Sequence, residues 1–251
     1  VSTDSGIPDY RNPDGTWKHH RPIQYREFVG SAATRRRYWA RSLVGWRRIH
    51  AALPNPAHEA LARLEASGRV GLLVTQNVDG LHQRAGQRSV VDLHGRLDRV
   101  ECLGCKLRYP REKFQAELAR RNPEWGKEGR DQTVRPDGDV DLGRVDTESF
   151  DVPDCPSCGS VLKPWVVFFG EAVPRPRVER TFCALAQADA LLVVGSSLMV
   201  FSGYRFVREA AKRGIPTAAV NLGKTRADDL LTLKVEAPCA EALPAAVGEL
   251  A

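Results

Sequence analysis

Two pairs of cysteines constrain this chain more than any other feature. Cys102-Leu-Gly-Cys105 and Cys155-Pro-Ser-Cys158 share one spacing and are separated by 49 residues. Each C-x-x-C offers two thiolates to one ion, and Gly104 and Gly159 suit the tight turns of such knuckles. Four sulfurs at about 2.3 Å complete a tetrahedral Zn²⁺ shell, so zinc bound here is structural rather than catalytic. A redox pair or a disulfide is the competing use, and the matched spacing favours zinc. A chain of 251 residues buries its own core without a disulfide scaffold. Cys183 falls within a helical pattern and reads as a buried hydrophobe.

On either side of the cysteine region the pattern alternates helices with short β-rich runs. Residues 56–66 repeat their apolar positions at helical spacing, with Asn55 as cap and Gly68 as stop. The run 70–75 reads as a buried strand ending in the polar loop Gln76-Asn-Val-Asp-Gly80. The C-terminal third repeats this plan: helix near 178–187, strand 190–194, helix near 204–213, strand 217–220, strand near 233–236 and a final helix. Such alternation predicts an α/β fold, a Rossmann-like parallel sheet with helices on both faces. Ligands bind beyond the carboxyl ends of such strands, where Gln76 to Asp79, Gly195 to Ser197 and Asn221 fall. The intervening stretch, rich in Asp, Gly and Pro, reads as a small inserted zinc-binding module. The expected boundaries are 99–169 for this module and 1–98 with 170–251 for the discontinuous Rossmann-like domain.

Charge adds little. Lys and Arg total 37 against 31 Asp and Glu, a mild excess. The basic residues that cluster are Arg26, Arg35, Arg36, Arg37, Arg41, Arg47 and Arg48, on a segment that reads as one amphipathic helix. A solvated face is the ordinary reading, and a docking surface for an acidic protein or a phosphate-bearing ligand is the alternative. Nucleic-acid binding needs a more concentrated patch and is not expected. No apolar run approaches the roughly 18 residues of a membrane span.

His94, in Asp92-Leu-His-Gly95, lies between the α/β pattern and the metal module and so should face a cleft between them. Histidine suits proton transfer near neutrality, but spacing alone leaves His94 open between a structural and a catalytic role. Gly195-Ser-Ser197 is a strand-to-helix turn of small residues suited to phosphate approach. The usual G-x-G-x-x-G fingerprint is missing, so these features do not identify a nucleotide.

In combination the motifs resemble the sirtuins, a family of NAD-dependent protein deacylases. The matching segments are Ser5-Gly-Ile-Pro-Asp-Tyr-Arg11, Thr75-Gln-Asn-Val-Asp79 with Leu81-His82, Leu93-His-Gly95, both C-x-x-C pairs, Lys163-Pro164, Val166-Val-Phe-Phe-Gly-Glu171, Gly195-Ser-Ser197 and Asn221. They follow the family's order across essentially the whole chain. Tyr10, Arg36–Arg41, Pro54–His58, Pro136–Val140 and Ser202–Phe206 are similar to the class II branch, which includes a mitochondrial sirtuin and bacterial relatives.

The resemblance implies NAD as co-substrate and one structural zinc on Cys102, Cys105, Cys155 and Cys158. It implies that Ser2, Thr3, Ile7, Asp9, Tyr10, Arg11, Gln76, Asn77, Val78, Asp79, Gly195, Ser196, Ser197, Asn221, Leu222, Gly223 and Cys239 contact NAD. An acyl-lysine of a protein substrate would enter along Val167, Phe168, Phe169 and Gly170. His94 would act as general base, with Asn77 and Asp79 at the nicotinamide ribose. The products would be free lysine, nicotinamide and an O-acyl-ADP-ribose, the acyl group being one other than acetyl if the class II features hold. A protein mono-ADP-ribosyltransferase using the same NAD site is the alternative. A bacterial chain of this kind would be cytoplasmic and a eukaryotic one would occupy the mitochondrial matrix.

Two departures stand out. Trp165 occupies a position where sirtuins usually carry Asp or Asn, so its ring could narrow the acyl-lysine channel, line it or pack aside. The chain opens at Val1, just after the family's Gly-Ala-Gly turn. The resemblance therefore implies a first strand upstream and weak NAD binding by the chain as it stands.

Overall fold

The computed structural model describes residues 1–10, 12, 14, 16, 18, 22–125 and 146–248. Its helices are α1 (Tyr25–Gly30), α2 (Ala32–Ala51), α3 (Pro56–Ala66), α4 (Leu81–Arg84), α5 (Arg111–Arg121), α6 (Arg175–Leu185), α7 (Phe201–Lys212) and α8 (Cys239–Gly248). The strands are β1 (Leu73–Thr75), β2 (Val90–Asp92), β3 (Gly95–Cys102), β4 (Arg108–Pro110), β5 (Leu162–Val166), β6 (Leu191–Val194), β7 (Thr217–Val220) and β8 (Leu233–Val235). The parallel strands form two ladders, β1–β2 and β6–β7–β8, while β4–β3–β5 is an antiparallel sheet.

The parallel part is Rossmann-like and is covered on both faces. Along β6 and β7 alternate residues point to opposite sides. Val193 and Ala219 pack with Val207 of α7, whereas Val194 and Val220 join Leu61 of α3 and Leu243 of α8. Helix α3 starts as its sequence predicts, because Asn55 Oδ1 accepts from Ala57 N at 3.0 Å and Pro56 occupies the first turn.

The basic segment is two helices rather than one. The chain breaks at Ser31, whose hydroxyl accepts from Thr34 N at 3.1 Å and caps α2. Arg35 Nη1 in turn donates to Phe28 O at 3.1 Å and Val29 O at 2.8 Å, satisfying carbonyls left open at the end of α1. Helix α2 buries Trp39, Leu43, Trp46 and Ile49 on one stripe, each worth about 1.5–3 kcal/mol by area.

That stripe shares a core with the antiparallel sheet. Phe28, Trp39 and Trp46 belong to one cluster with Val100, Phe114, Leu162, Cys102 and Cys155. Arg111 at the head of α5 is 1% exposed, with its guanidinium 5.1 Å from the Trp46 ring and 5.4 Å from the Trp39 ring. Its Nη2 donates to Ser42 Oγ at 3.2 Å, and burial pushes its guanidinium down to about 9.

One sequence expectation fails locally. Cys183 is exposed, because α6 turns Val178, Thr181, Phe182 and Leu185 inward at helical spacing and leaves position 183 on the outer face. His19, His20, Arg11 and the Pro136–Val140 motif lie outside the described residues.

Candidate active site

A cavity of about 750 Å³ opens where the parallel strands end. β1 delivers Gln76 to Asp79, β2 leads to His94, β6 runs into Gly195 to Ser197, and β7 into Asn221. All line the cavity, as do Ser2, Thr3, Ile7, Asp9, Tyr10, Leu222 and Cys239. Val167, Phe168, Phe169 and Gly170 form the facing wall. Gly223 does not line it: its N–H donates to Glu236 Oε1 at 3.2 Å and its carbonyl accepts from Asn221 Nδ2 at 3.3 Å. Arg11 is outside the described residues.

Hydrogen bonds hold the strand-end wall rigid. Asp79 Oδ1 accepts from Leu81 N at 2.9 Å, an Asx turn that leads the chain into α4. Its Oδ2 accepts from Ser2 Oγ at 2.8 Å, and the Ser2 hydroxyl in turn accepts from Asn77 Nδ2 at 2.8 Å. His58 lies behind, with Nε2 3.4 Å from Ser2 Oγ and Nδ1 3.0 Å from Asn55 Oδ1. Its ring meets that of His82 at a tilt of 54°, with 4.7 Å between centroids. Burial pushes His58 down to about 4 and His82 down to about 3, so both are neutral at physiological pH.

His94 is set differently. Its Nδ1 lies 3.1 Å from Gln76 O, and a carbonyl only accepts, so Nδ1 carries the proton. Nε2 is then a lone pair, and it accepts from Ser202 Oγ at 2.8 Å. Burial holds the imidazole below its usual range against the upward pull of the Gln76 carbonyl, and the charges of Arg177 and Arg205 add to the depression. The result is a neutral base in the cavity wall, with its accepting nitrogen on Ser202. Gln76 is itself fixed, since its Oε1 accepts from Ser196 Oγ at 3.2 Å. Helix α7 can approach it only at Gly203, where a Cβ would stand 2.7 Å from the Gln76 amide.

The facing wall is apolar and hangs from β5. Phe168 packs on Phe28 at 5.0 Å and Tyr38 at 5.4 Å, and Tyr10 meets Phe169 edge-on at 6.3 Å. Tyr25 N donates to Phe169 O at 2.9 Å, and Phe168 N to Glu171 Oε2 at 2.9 Å. Buried Lys163 donates to the same Glu171 oxygen at 3.1 Å, so an ion pair closes the turn beneath the wall. Trp165 packs aside and does not line the cavity. Its ring instead carries the guanidinium groups of Arg177 at 4.7 Å, Arg108 at 4.8 Å and Arg99 at 5.9 Å.

The four cysteines converge. All four Sγ atoms lie within 4.8 Å of one another, with Cys102–Cys158 at 3.4 Å and Cys105–Cys155 at 3.8 Å. These separations match the ~3.8 Å edge of a tetrahedron with 2.3 Å metal–sulfur bonds and are far longer than a disulfide. Hydrogen bonding from Ser160 pulls the Cys158 thiol down to about 6, whereas Cys105, against the downward pull of the Leu107 backbone, is pushed up to about 11 by desolvation and the neighbouring thiols.

The sequence reading missed Ser202 and Arg205, which also line the cavity. Both stand in a motif noted for its branch likeness. Nothing in its spacing shows that the first turns of α7 come up against His94.

Fold and site together describe a Rossmann-like α/β protein with a four-cysteine module and a cavity at the strand ends. Residues 1–202 match the Sir2 family. The chain is 61% identical over 242 residues to an NAD-dependent protein deacetylase of Xanthomonas campestris pv. campestris (strain 8004), covering 96% of this chain and 82% of that protein. It is 49% identical over 247 residues to the NAD-dependent protein deacylase Sirt4 of Drosophila melanogaster, covering 97% of this chain and 78% of that one. A solved structure described as Sir2-p53 peptide-NAD+ superposes with a TM-score of 0.79 at 29% identity, covering 99% of this chain and 89% of that chain. The chain belongs to the Sir2 family, the sirtuins.

Proposed function

We propose that this chain is an NAD-dependent protein-lysine deacylase that works in the strand-end cavity. The relatives are named as NAD-dependent deacetylases or deacylases, and a structural neighbour contains both a peptide and NAD. These names favour deacylation over mono-ADP-ribosyl transfer. The observation that carries the reading is His94, held neutral with Nε2 accepting, in the same cavity as the apolar segment Val167–Gly170.

Bound NAD supplies an activated ribose carbon from which nicotinamide departs. The small residues Gly195, Ser196 and Ser197, with Asn221, fit its phosphates and adenosine, and Leu222 and Cys239 extend that end. Asn77 and Asp79, locked through Ser2, orient the nicotinamide ribose. Phe168, Phe169, Val167 and Gly170 receive the acyl-lysine and exclude water. His94 Nε2 takes a proton from a ribose hydroxyl once Ser202 yields its bond. One water is consumed as the acyl–nitrogen bond breaks, after nicotinamide has left, and the products are the deacylated lysine, nicotinamide and O-acyl-ADP-ribose.

Zinc held by Cys102, Cys105, Cys155 and Cys158 would supply cross-linking and no chemistry, because four thiolate ligands would leave no position open. We further divide the chain into a discontinuous nucleotide-binding unit, 1–98 with 170–251, and a zinc module, 99–169. The bacterial relatives support a cytoplasmic location, and no helix among the described residues is long and apolar enough to cross a membrane.

A panel of acyl-lysine peptides incubated with labelled NAD tests the reading. Deacylation predicts nicotinamide release matched by O-acyl-ADP-ribose in the mass spectrum. Label retained on protein, without O-acyl-ADP-ribose, would establish the transferase instead.

A further inference from the structure

The segment Leu93–Gly95 carries His94 and is gripped from two directions. On one side is β5. Gly95 pairs with Val166, and Val167 N donates to His94 O at 2.7 Å. The approach is so close that a Cβ on Gly95, where φ is +81°, would stand 2.0 Å from the Trp165 carbonyl oxygen. On the other side is α6, from which Arg177 Nη1 donates to Leu93 O at 3.2 Å. The same guanidinium lies 4.7 Å from the centroid of the Trp165 ring. One arginine therefore joins α6, the carbonyl just before His94 and the indole of β5.

We propose that Arg177, clamped on Trp165, is a positioning residue for the His94 base, holding its backbone so that the ring meets both Gln76 O and Ser202 Oγ. An indole fixes the guanidinium plane without occupying any of its N–H donors, leaving one free for Leu93 O. Charge gives Arg177 a second effect. Among the groups around His94, Gln76 and Ser202 are neutral, whereas Arg177 from α6 and Arg205 from α7 both oppose its protonation. Asp92, Glu101 and Glu171 offset the charge of Arg177, and Arg108 acts against it. Glu101 also pairs with Arg108 at 2.5 Å, which relieves the repulsion between Arg108 and Arg177, the two nearer of the three arginines on the indole.

The role rests on His94 being the base of the proposed deacylation, so the test includes a measurement that needs no turnover. Arg177→Met, Arg177→Lys and Trp165→Phe are compared with the unmodified chain. The His94 imidazole is titrated by NMR without NAD or peptide, and kcat, KM and pH profiles are taken with an acyl-peptide. In Arg177→Met the His94 titration should rise by roughly half a pH unit, and the acid limb of kcat/KM should rise with it. Its kcat should fall about 10-fold or more while KM for NAD and peptide stays within about twofold, as expected when a base is misplaced rather than a binding site lost. Arg177→Lys should restore the titration but not kcat, because it keeps the charge and loses the guanidinium held over the indole. Trp165→Phe should keep most of kcat.

An unshifted His94 titration in Arg177→Met, with kcat reduced only in proportion to the folded fraction, would reduce Arg177 to a structural role and overturn the proposal. If Arg177→Met does not fold, Arg177→Lys decides. Loss of kcat at a native melting temperature supports the proposal, and an unchanged kcat overturns it. Absence of deacylation by the unmodified chain would remove the proposed function, while the NMR arm would still judge the coupling of Arg177 to His94.

Discussion

The two walls of the cavity are built on opposite principles. The strand-end wall is polar and its side chains are fixed by hydrogen bonds: Asp79 to Ser2 and Leu81, His94 to Gln76 and Ser202. The facing wall is apolar and is fixed by burial, with Phe168 seated on Phe28 and Tyr38 above a core that reaches Cys102 and Cys155. Hydrogen bonds are directional, so the first wall sets the protonation state and orientation of single atoms. Burial is not directional, so the second sets shape and dryness. Perturbations of the two walls should therefore separate into effects on chemistry and effects on stability.

The largest effect is expected from the thiolates. Cys102→Ser should release zinc and destabilise the antiparallel sheet by about 5 kcal/mol or more, since metal binding is folding free energy here. Zinc analysis and proteolysis across β3–β5 check this, and a metal-free protein with an unchanged melting temperature would sink it. His94→Ala should lower kcat/KM by about 10²- to 10⁴-fold, the usual span for a general base, with NAD binding by calorimetry retained. Unchanged turnover would exclude His94 as the base.

Acid should act next, through His58. Its folded pKa is about 4, below the 6.5 of an exposed imidazole, so between those values the unfolded chain binds a proton that the folded one refuses. Stability is complete above pH 6.5 and falls by roughly 3 kcal/mol as pH drops to 4, with His82 adding to the loss. Urea midpoints measured from pH 7 to 4 should show this slope, and His58→Gln should flatten it. Phe168→Ala should cost about 2 kcal/mol in urea and loosen acyl-peptide binding, leaving the pH profile unmoved. A shifted profile would mean that the walls are coupled. The smallest effect is expected from Ser202→Ala. It removes a donor that favours neutral His94, so the acid limb of kcat/KM should rise by a few tenths of a pH unit, with about 1 kcal/mol of stability lost.

Much of this was legible in the chain. The caps and periodicity of α3 marked its limits, and the apolar runs at 190–194 and 217–220 marked β6 and β7, because local propensity and burial agree there. The cysteine pairs announced their own convergence. Other features were hidden for identifiable reasons. The basic segment read as one helix because its charges mask the capping signal of Ser31, which only the Thr34 N–H makes visible. Cys183 read as buried because a helical pattern does not say which face meets the core.

What the sequence determined by itself is the inventory: four thiols at knuckle spacing, polar loops after apolar strands, and a histidine between two kinds of structure. Each is a local property, written in residue type and spacing. The tertiary structure alone decided the state of that histidine and the fate of Trp165. His94 is a neutral acceptor because Gln76, 18 residues before it, and Ser202, 108 after it, meet its two nitrogens. Trp165 stands outside the cavity because arginines from β3, β4 and α6 gather on its ring. Protonation and orientation depend on groups distant in the chain, and only packing brings those groups together.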